Sequence, residues 1–403
     1  MYARSCNHAR SVLQVAPDAG QAEVDANSSC CCDVPARDSA LPEGERAGGP
    51  APASEWEIFI EGDALYDAMV DDIAGAQSTV RMESYIFAAD DIGRRIAAAL
   101  AAQARRGRAV HLRVDYAGSG WELSGSLLRE LRGAGVRFEW SRRWQWFAPW
   151  EFHRRNHRKL LIIDDAIAYV GGFNVHAASS RRSVGENRWR DTHVRFRGAA
   201  VDQAIDVFEH SGHPMREASP ALKPLWLITS TTRRCRRRLR CEFDRVFRSA
   251  KQRIWLTTPY FVPDSRLRRR LIRAARRGVD VRVLTPAKND VPITQWAARA
   301  LYSALLKHGV RVFEYQPRVL HAKTLMVDDN WGTVGTANLD YRSLFVNAEV
   351  NLVASDERFC EALAQHFRAD LEWSREIEQE HWRRRSWWHL ARERLAWPLR
   401  RWL

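Results

Sequence analysis

The stretches HRKLLIID (157–164) and HAKTLMVD (321–328) have one pattern: a histidine, a lysine two positions later and an aspartate after four further residues. Six residues separate each aspartate from a glycine-led turn that ends on asparagine, GGFN (171–174) and GTAN (335–338). Lysine is rare in the chain, with only 6 among 63 basic residues, so two matched histidine–lysine pairs are not expected by chance. The repeat therefore predicts an internal duplication that brings two matched half-sites together.

Strand and helix patterns surround each copy of this motif in the same order, starting at Trp56. The first pass predicts strands at 80–87, 109–116 and 136–140, with helices at about 91–106 and 123–134. The second pass aligns with it, residues 253–264 matching 80–90, 276–284 matching 105–114, and 310–315 matching 136–140. Each pass ends at its histidine–lysine strand, on which residues two apart point to one face. We therefore predict an α/β protein built from two duplicated halves.

Composition narrows the class of partner. The net charge of +14 and the high arginine content imply an anionic partner, either nucleic acid or an acidic membrane surface. The seven cysteines have no regular spacing and predict no disulfide framework. No run of 18 apolar residues and no secretory signal is present, so we expect the catalytic body to face the cytoplasm.

Four longer strings resemble the phospholipase D superfamily and, within it, bacterial cardiolipin synthases of the type without N-terminal transmembrane helices. They are MESYIF (82–87), RNHRKLLIIDDAIAYVGGFN (155–174), WRDTHVR (189–195) and VGTANLDYRSLFVNAEVNLV (334–353). The resemblance covers about residues 55–403. It implies two phospholipase D-like α/β/α sandwich halves that form one pseudo-twofold active site.

Phosphoryl transfer without a metal requires a nucleophile, a proton donor and cations for the non-bridging oxygens. Two histidines and two lysines supply these groups. By resemblance, His157 attacks phosphorus to form a phosphohistidine and His321 handles the proton, whereas the sequence alone is symmetric on this point. Lys159 and Lys323 would neutralise the phosphate oxygens. No metal or cofactor is expected, because lysine is not a usual metal ligand.

Six further candidates complete the predicted site: Asn174, Asn338, Asp191, Glu349, Asp164 and Asp328. The two asparagines are neutral donors suited to phosphate oxygens. The resemblance implies that Asp191 and Glu349 hold the far ring nitrogens of the histidines. Asp164 and Asp328 belong to the repeated motif, but each lies five residues beyond its lysine, which favours support of the turn over chemistry.

The chain divides into five predicted segments: a disordered tail (1–54), a first half (55–215), a basic linker (216–241), a second half (242–375) and a tail rich in Trp and Arg (376–403). The last segment places Trp388, Ala391, Leu395, Leu399 and Trp402 at helical spacing, which is typical of a helix lying in a membrane surface. Pro398 should kink it. The alternative is a helix docked on the body. The aromatic cluster at 144–152 is either an acyl-chain entrance or a packed loop.

Three functions fit these features. The first is a cardiolipin synthase that uses phosphatidylglycerol as donor and acceptor, with phosphatidylethanolamine as an alternative donor, at the cytoplasmic face of the inner membrane. The second is a phospholipase D hydrolase that releases phosphatidic acid. The third is a phosphodiesterase or binder of nucleic acid, which suits the charge of the arginine run at 233–240. The Trp-rich tail favours a lipid surface, so nucleic acid is not the expected partner.

Overall fold

A computed structural model describes residues 56–142, 153–210 and 224–401. In the first half the elements are, in chain order, β1 (Trp56–Phe59), α1 (Gly62–Ala74), β2 (Thr79–Ser84), α2 (Asp91–Arg105), β3 (Ala109–Asp115), α3 (Tyr116–Ser119), α4 (Gly125–Gly133), β4 (Arg137–Ser141), β5 (Leu160–Ile163), β6 (Ile167–Gly171), α5 (Arg181–Val184), β7 (His193–Arg197) and α6 (Ala200–Glu209). These strands form a seven-stranded sheet in the order β1-β7-β6-β5-β2-β3-β4.

The second half repeats this plan with additions at its end. Its elements are β8 (Leu225–Thr229), α7 (Arg233–Ser249), β9 (Arg253–Thr257), α8 (Ser265–Arg276), β10 (Asp280–Pro286), α9 (Pro292–Leu306), β11 (Arg311–Tyr315), β12 (Thr324–Val327), β13 (Trp331–Gly335), α10 (Tyr341–Phe345), β14 (Val350–Ala354), α11 (Glu357–Glu372), β15 (Ser374–Glu376), α12 (Gln379–Arg383) and α13 (Trp387–Ala396). The sheet order is β15-β11-β10-β9-β12-β13-β14-β8.

The two sheets have one topology. In each, three parallel strands (β2, β3, β4 and β9, β10, β11) continue into an antiparallel set (β5, β6, β7 and β12, β13, β14). An edge strand that precedes the first helix of its half, β1 or β8, closes the antiparallel side. The predicted α/β fold with duplicated halves is therefore confirmed.

Both faces of each sheet are buried, which explains the uninterrupted apolar strands. Along β5, Leu160 and Ile162 point into a core shared by both halves, whereas Leu161 and Ile163 point into a core of the first half alone. This division follows from the two-residue period of a strand. Helices α6 and α11 line the shared core, so the halves pack against each other through apolar side chains. That packing fixes the junction at which the histidine motifs meet.

The histidine–lysine pairs lie just before their strands and not on them, which corrects one expectation. Strand β5 begins at Leu160 and β12 at Thr324, each one residue after the lysine. The segments before them are tied to the other half, because isolated bridges join Asn156 to Ala348 and Arg190 to Leu320. The pairs therefore leave their own sheets to meet the opposite half.

The prediction of a basic linker at 216–241 is wrong for residues 224–241, which the structure describes. Strand β8 pairs with β14, and the arginine run forms the start of helix α7. Thr232 caps this helix by accepting from the Cys235 N–H at 3.1 Å, and Leu239, Phe243 and Phe247 recur every four residues on its buried side. Most arginines of the run are exposed on the other faces of this amphipathic helix, whereas Arg236 is buried; the high charge of the run obscures the pattern.

The C-terminal segment docks on the second half and also leaves apolar side chains exposed. Helix α13 packs against α9, and Ala396 is buried beside Ala297 and Val262. A 3₁₀ helix, Trp397–Arg401, follows α13 and contains Pro398, which agrees with the expected break. On the outer side Trp387, Trp388, Leu395 and Leu399 are exposed, and these four residues are called the outer apolar face below.

Some predictions lie outside the described residues: the tail at 1–54, the aromatic cluster at 144–152, and Trp402. Across the described ranges, no helix combines the length and apolar character that a membrane crossing requires.

The two motif aspartates brace turns at the far ends of β5 and β12. Asp164 Oδ1 accepts N–H bonds from Ser78 (2.7 Å) and Thr79 (2.9 Å), and Oδ2 accepts one from Gln77 (2.7 Å). Asp328 accepts equivalent bonds from the backbone of residues 251–253. Both aspartates have a φ of 52°, a left-handed conformation that Asp tolerates better than most residues. The structure therefore places neither aspartate among the groups that gather at the junction.

Replacing Asp164 with alanine should lower the free energy of unfolding by about 1–3 kcal/mol, because three backbone N–H groups, one of them half-buried, lose a charged acceptor. We expect the turnover of the folded enzyme to stay within about twofold of wild type. Urea unfolding and initial rates measure the two quantities, with Asp165→Ala at the exposed neighbouring position as the control. A large loss of activity at unchanged stability would instead indicate a direct role in the reaction.

Candidate active site

The histidine motifs of the two halves meet at a pair of reciprocal backbone contacts. His157 N–H donates to Ala348 O at 2.9 Å, and His321 N–H donates to Arg190 O at 2.7 Å. Each histidine is thereby fixed to the half that does not contain it. Both imidazoles and both motif lysines are buried. The junction therefore encloses the four groups in one site.

Each histidine bonds to a carboxylate from the opposite half. The Nδ1 of His157 lies 2.9 Å from Glu349 Oε2, and the Nδ1 of His321 lies 2.6 Å from Asp191 Oδ2. A carboxylate at Nδ1 holds the proton there and leaves Nε2 as the reactive nitrogen. Neither half contains a complete histidine–acid pair, so the pairs exist only when the halves are docked.

The two acids are held differently, and the difference begins at one position of the repeated turn. Thr336 donates its hydroxyl to Glu349 Oε2 at 2.6 Å, and Ser343 donates to Oε1 at 2.8 Å. Gly172 stands at the place of Thr336 in the first half, where an added Cβ would lie 2.0 Å from Asp191 Oδ1. The glycine makes room for the shorter acid to approach, whereas the threonine supports the longer one.

The lysine ammonium groups lie beside the imidazoles. Lys159 Nζ donates to His157 O at 2.9 Å, and Lys323 Nζ lies 2.9 Å from His321 Nδ1. Burial, with the charge of Lys323, lowers the pKa of Lys159 to about 7, and burial also lowers that of Lys323. Two buried cations that disfavour each other's charge create a strong preference for a bound anion.

The imidazoles are neutral at ordinary pH. Burial lowers the pKa of His157 to about 4, although Glu349 opposes the shift. Burial and the charge of Lys323 likewise lower the pKa of His321. A neutral imidazole has a free lone pair, so either ring could act as nucleophile or base as soon as a substrate is present.

Both candidate asparagines are buried at the ends of their turns. Asn174 Oδ1 accepts from Ile86 N–H at 3.1 Å, which orients the amide. The backbone N–H of Asn338 donates to Ser343 Oγ at 3.1 Å, while Asn338 Oδ1 accepts no hydrogen bond within the described part of the chain. The first amide is therefore oriented by the backbone, and the oxygen of the second is free to accept from a ligand hydroxyl.

Aromatic side chains form the walls of the site. The sequence motifs did not predict them as site residues. Tyr85 makes an edge contact with the His157 ring at 4.9 Å between centroids, and Lys159 Nζ lies 5.3 Å from the Tyr85 centroid. Trp189 lies 5.2 Å from His321, with Tyr260 at 6.4 Å. Tyr85 and Trp189 fall inside MESYIF and WRDTHVR, two of the strings that carry the family resemblance, and this is the signal that could have revealed them.

Comparison with known proteins identifies the family. The family described as "Cardiolipin synthase, PLD-like domain" matches residues 69–210 and 244–371, one match for each half. The chain belongs to this family. Its membership of the phospholipase D superfamily confirms the resemblance carried by the repeated motif.

Curated members of the cardiolipin synthase family match most of the chain. Cardiolipin synthase of Clostridium perfringens is 30% identical over 352 residues, which cover 83% of this chain and 74% of that protein. Cardiolipin synthase A of Pseudomonas fluorescens is 33% identical over 339 residues, covering 81% and 70%. Cardiolipin synthase B of Escherichia coli is 31% identical over 361 residues, covering 84% and 86%. The similarity therefore extends across both halves.

A solved structure has the same fold as this member of the cardiolipin synthase family. Phosphatidylserine synthase from Haemophilus influenzae superposes with a TM-score of 0.66 at 13% identity, covering 87% of this chain and 96% of that one. At this identity the likeness concerns the fold alone. It supports the arrangement of two docked halves independently of the sequence matches.

Proposed function

We propose that the chain is a cardiolipin synthase that transfers a phosphatidyl group from one phosphatidylglycerol to a hydroxyl of a second. The observation that carries the proposal is the pair of crossed histidine–acid contacts beside two buried lysines. This set supplies a nucleophile, a proton carrier and cationic stabilisation of a phosphodiester at one place. The names of the curated relatives support the same activity.

In the first step, Nε2 of His157 attacks the phosphorus of the donor lipid. A phosphorus–nitrogen bond forms, the bond to the glycerol oxygen breaks, and His321 gives that oxygen a proton. The bound phosphate raises the proton affinity of His321, because an opposite charge favours the protonated form. Glu349 stabilises the positive charge that develops on His157. The nucleophilic role of His157 is assigned from the family resemblance.

In the second step, the acceptor hydroxyl gives its proton to His321 and attacks phosphorus. The phosphorus–nitrogen bond breaks, which releases cardiolipin and restores neutral His157. Lys159 and Lys323 neutralise the non-bridging oxygens through both steps, with Asn174 and Asn338 as further donors. Burial of these groups strengthens their effect, since a low dielectric increases each electrostatic interaction.

The test is incubation of purified enzyme with phosphatidylglycerol vesicles, with and without phosphatidylethanolamine, followed by mass spectrometry of the lipids. Cardiolipin with an equal amount of free glycerol supports the transferase. A higher yield of cardiolipin when phosphatidylethanolamine is present would identify this lipid as a second donor. Phosphatidic acid as the main product would reassign the chain as a hydrolase, and cleavage of DNA without lipid turnover would reassign it to nucleic acid.

We further propose peripheral binding to the cytoplasmic face of the inner membrane through the outer apolar face. Trp387 and Trp388 stack at 3.7 Å between ring centroids and are about three-fifths exposed. Tryptophan favours the headgroup level of a bilayer, and neighbouring arginines attract anionic lipid. Arg385 fixes the start of this region by a two-bond contact with Glu393, at 2.8 Å for each bond.

Replacing Trp387, Trp388 and Leu395 with serine should lower the affinity for phosphatidylglycerol vesicles by at least about tenfold, because apolar area no longer enters the interface. Turnover of detergent-solubilised lipid should change by less than about threefold. Vesicle sedimentation measures the first quantity, and Trp373→Ser, at an exposed tryptophan that ends α11, is the matched control. Unchanged sedimentation of the triple variant would argue against this face as the anchor.

A further inference from the structure

The helices on the outer sides of the two sheets, away from the shared core, differ in charge. In the first half, α1 and α2 contain five aspartates and three arginines. Helices α7 and α8 follow the corresponding strands of the second half, β8 and β9, and contain fourteen arginines with only two acidic residues, Glu242 and Asp244. Much of the net charge of +14 therefore lies on two neighbouring helices of the second half.

Helices α7 and α8 pack side by side, and carboxylates join them. Asp244 of α7 accepts from two arginines of α8, Arg266 Nε at 2.9 Å and Arg270 Nε at 2.7 Å. Asp264, which caps α8, lies 3.3 Å from Arg240 of α7. These acidic groups are therefore used at the contact between the two helices.

Other arginines of the two helices face the solvent. Arg233 and Arg237 lie four residues apart on α7, as do Arg269 and Arg273 on α8, so each pair places like charges side by side. Within the described ranges, the ion pairs of these helices involve other arginines. Repulsion among the solvent-facing arginines is relieved when an anion binds. Five exposed residues are called the arginine face below: Arg233, Arg237, Arg238, Arg269 and Arg273.

The arginine face continues into the outer apolar face of the C-terminal segment. Burial lowers the pKa of Arg268 in α8, and the charges of Arg269 and Arg400 lower it further, so Arg400 lies near this helix. Leu399, a member of the outer apolar face, is the residue before Arg400. Trp397 packs against the apolar core beneath α7 and α8. Basic and apolar side chains therefore border each other on one side of the second half.

A surface of this composition fits an anionic bilayer. Each basic side chain close to an anionic leaflet raises the affinity for the membrane by about fivefold, and the attraction fades within a Debye length of about 8–10 Å. Tryptophan and leucine beside the arginines can enter the interface at the same time. The phosphate backbone of a nucleic acid would contact the arginines but leave these apolar side chains in water. The combination therefore favours a lipid surface as the partner.

The arginine face begins at a segment that is bonded to the active site. Ser230 stands three residues before Arg233. The N–H of Ser230 donates to Glu349 O at 3.1 Å, and Ser230 Oγ accepts from the N–H of Glu349 at 2.9 Å. Glu349 is the acid that holds His157. The N-terminal end of α7 is therefore anchored at the site.

We propose that the arginine face binds the surface of a bilayer that contains anionic phospholipid, together with the outer apolar face. This inference rests on the proposed transferase function and peripheral binding. Phosphatidylglycerol, the proposed substrate, is itself anionic, so the charge that attracts the membrane also concentrates the substrate around the enzyme. The excess of aspartate on α1 and α2 opposes binding through the first half. The difference in charge between the halves thus turns the second half toward the membrane.

The test is sedimentation of the whole chain with vesicles of two compositions. Combined replacement of Arg237, Arg269 and Arg273 with glutamine should lower the affinity for phosphatidylcholine vesicles that contain about one-third phosphatidylglycerol by at least about tenfold. Affinity for pure phosphatidylcholine vesicles should change by less than about twofold, because anionic lipid is absent. Added salt should weaken the binding of the wild type more steeply than that of the variant. Turnover of detergent-solubilised lipid should stay within about twofold of wild type.

The matched control removes three exposed arginines from helices α2 and α4 of the first half: Arg94→Gln, Arg105→Gln and Arg129→Gln. It changes the net charge equally and should alter vesicle affinity by less than about twofold. Equal losses in the two triple variants, at unchanged melting temperature, would show that net charge alone sets binding and would overturn the arginine face.

Two further results would also overturn the arginine face as a membrane surface. One is unchanged vesicle binding of its triple variant. The other is a variant that keeps vesicle binding but no longer binds a short single-stranded DNA bound by the wild type, which would assign the face to nucleic acid. A wild type that shows the expected vesicle binding but forms no cardiolipin would instead refute the transferase function and leave the membrane surface in place.

Discussion

Replacing His157 with alanine should lower phosphatidyl transfer by at least about 10⁴-fold, and His321→Ala should lower it by about 10²–10⁴-fold. The first change removes the atom that forms the bond to phosphorus. The second removes the proton carrier but leaves the nucleophile, its Glu349 partner and both lysines in place. The two losses are therefore expected to differ in kind as well as in size.

Mass spectrometry of the intact protein distinguishes the two roles. With phosphatidylglycerol, His321→Ala should still form a phosphatidyl adduct on long incubation, because Nε2 of His157 is intact, although the missing proton carrier slows both the formation and the decay of the adduct. His157→Ala should accumulate none. The control is His308→Ala, at a surface histidine beside Arg276, which should retain wild-type turnover. An adduct on the His157→Ala protein would exchange the two assignments, and robust turnover of either variant would refute the paired half-site mechanism.

Replacing Glu349 with glutamine, or Asp191 with asparagine, should lower kcat by about 10²–10⁴-fold, since each acid fixes a tautomer and stabilises a charged ring. The effect crosses the junction, because each acid serves the histidine of the opposite half. Glutamine keeps one oxygen that can accept from Thr336 or Ser343, and its amide N–H can donate to the other hydroxyl, so the packing around position 349 should survive. The loss should therefore reflect charge and proton position.

The pH dependence of kcat/KM shows in which direction Glu349 shifts the pKa of His157. In the wild type, His157 gains a proton as the pH falls through about 4, and kcat/KM should decline there because a protonated ring cannot attack. The Glu349 carboxylate favours the protonated ring, so its removal should move this acid limb to lower pH. Glu361→Gln, which removes an exposed carboxylate paired with Arg368, is the control. An acid limb that moves to higher pH would contradict the assigned contact.

Sequence patterns predicted the helices and strands that are stabilised by interactions between residues close in the chain. The strand at 109–116 is observed as Ala109–Asp115, and the helix at 91–106 as Asp91–Arg105, because side-chain periodicity and capping residues act within a few positions. At 233–240 the sequence pattern predicted a linker, whereas the structure has a helix. Leu239 and Phe243 lie on the buried face of α7, but the surrounding arginines gave that stretch the composition of a solvated linker.

From the sequence alone, the repeated motif predicted the duplicated fold and the family, and it indicated two histidines and two lysines as candidates for the reaction. The tertiary structure was needed to show that Glu349 contacts His157, that Asp191 contacts His321, and that Asp164 and Asp328 brace turns away from the junction. These relations join residues as far apart as 192 positions. They arise from the docking of two sheets through a shared apolar core, a long-range interaction that no local pattern encodes.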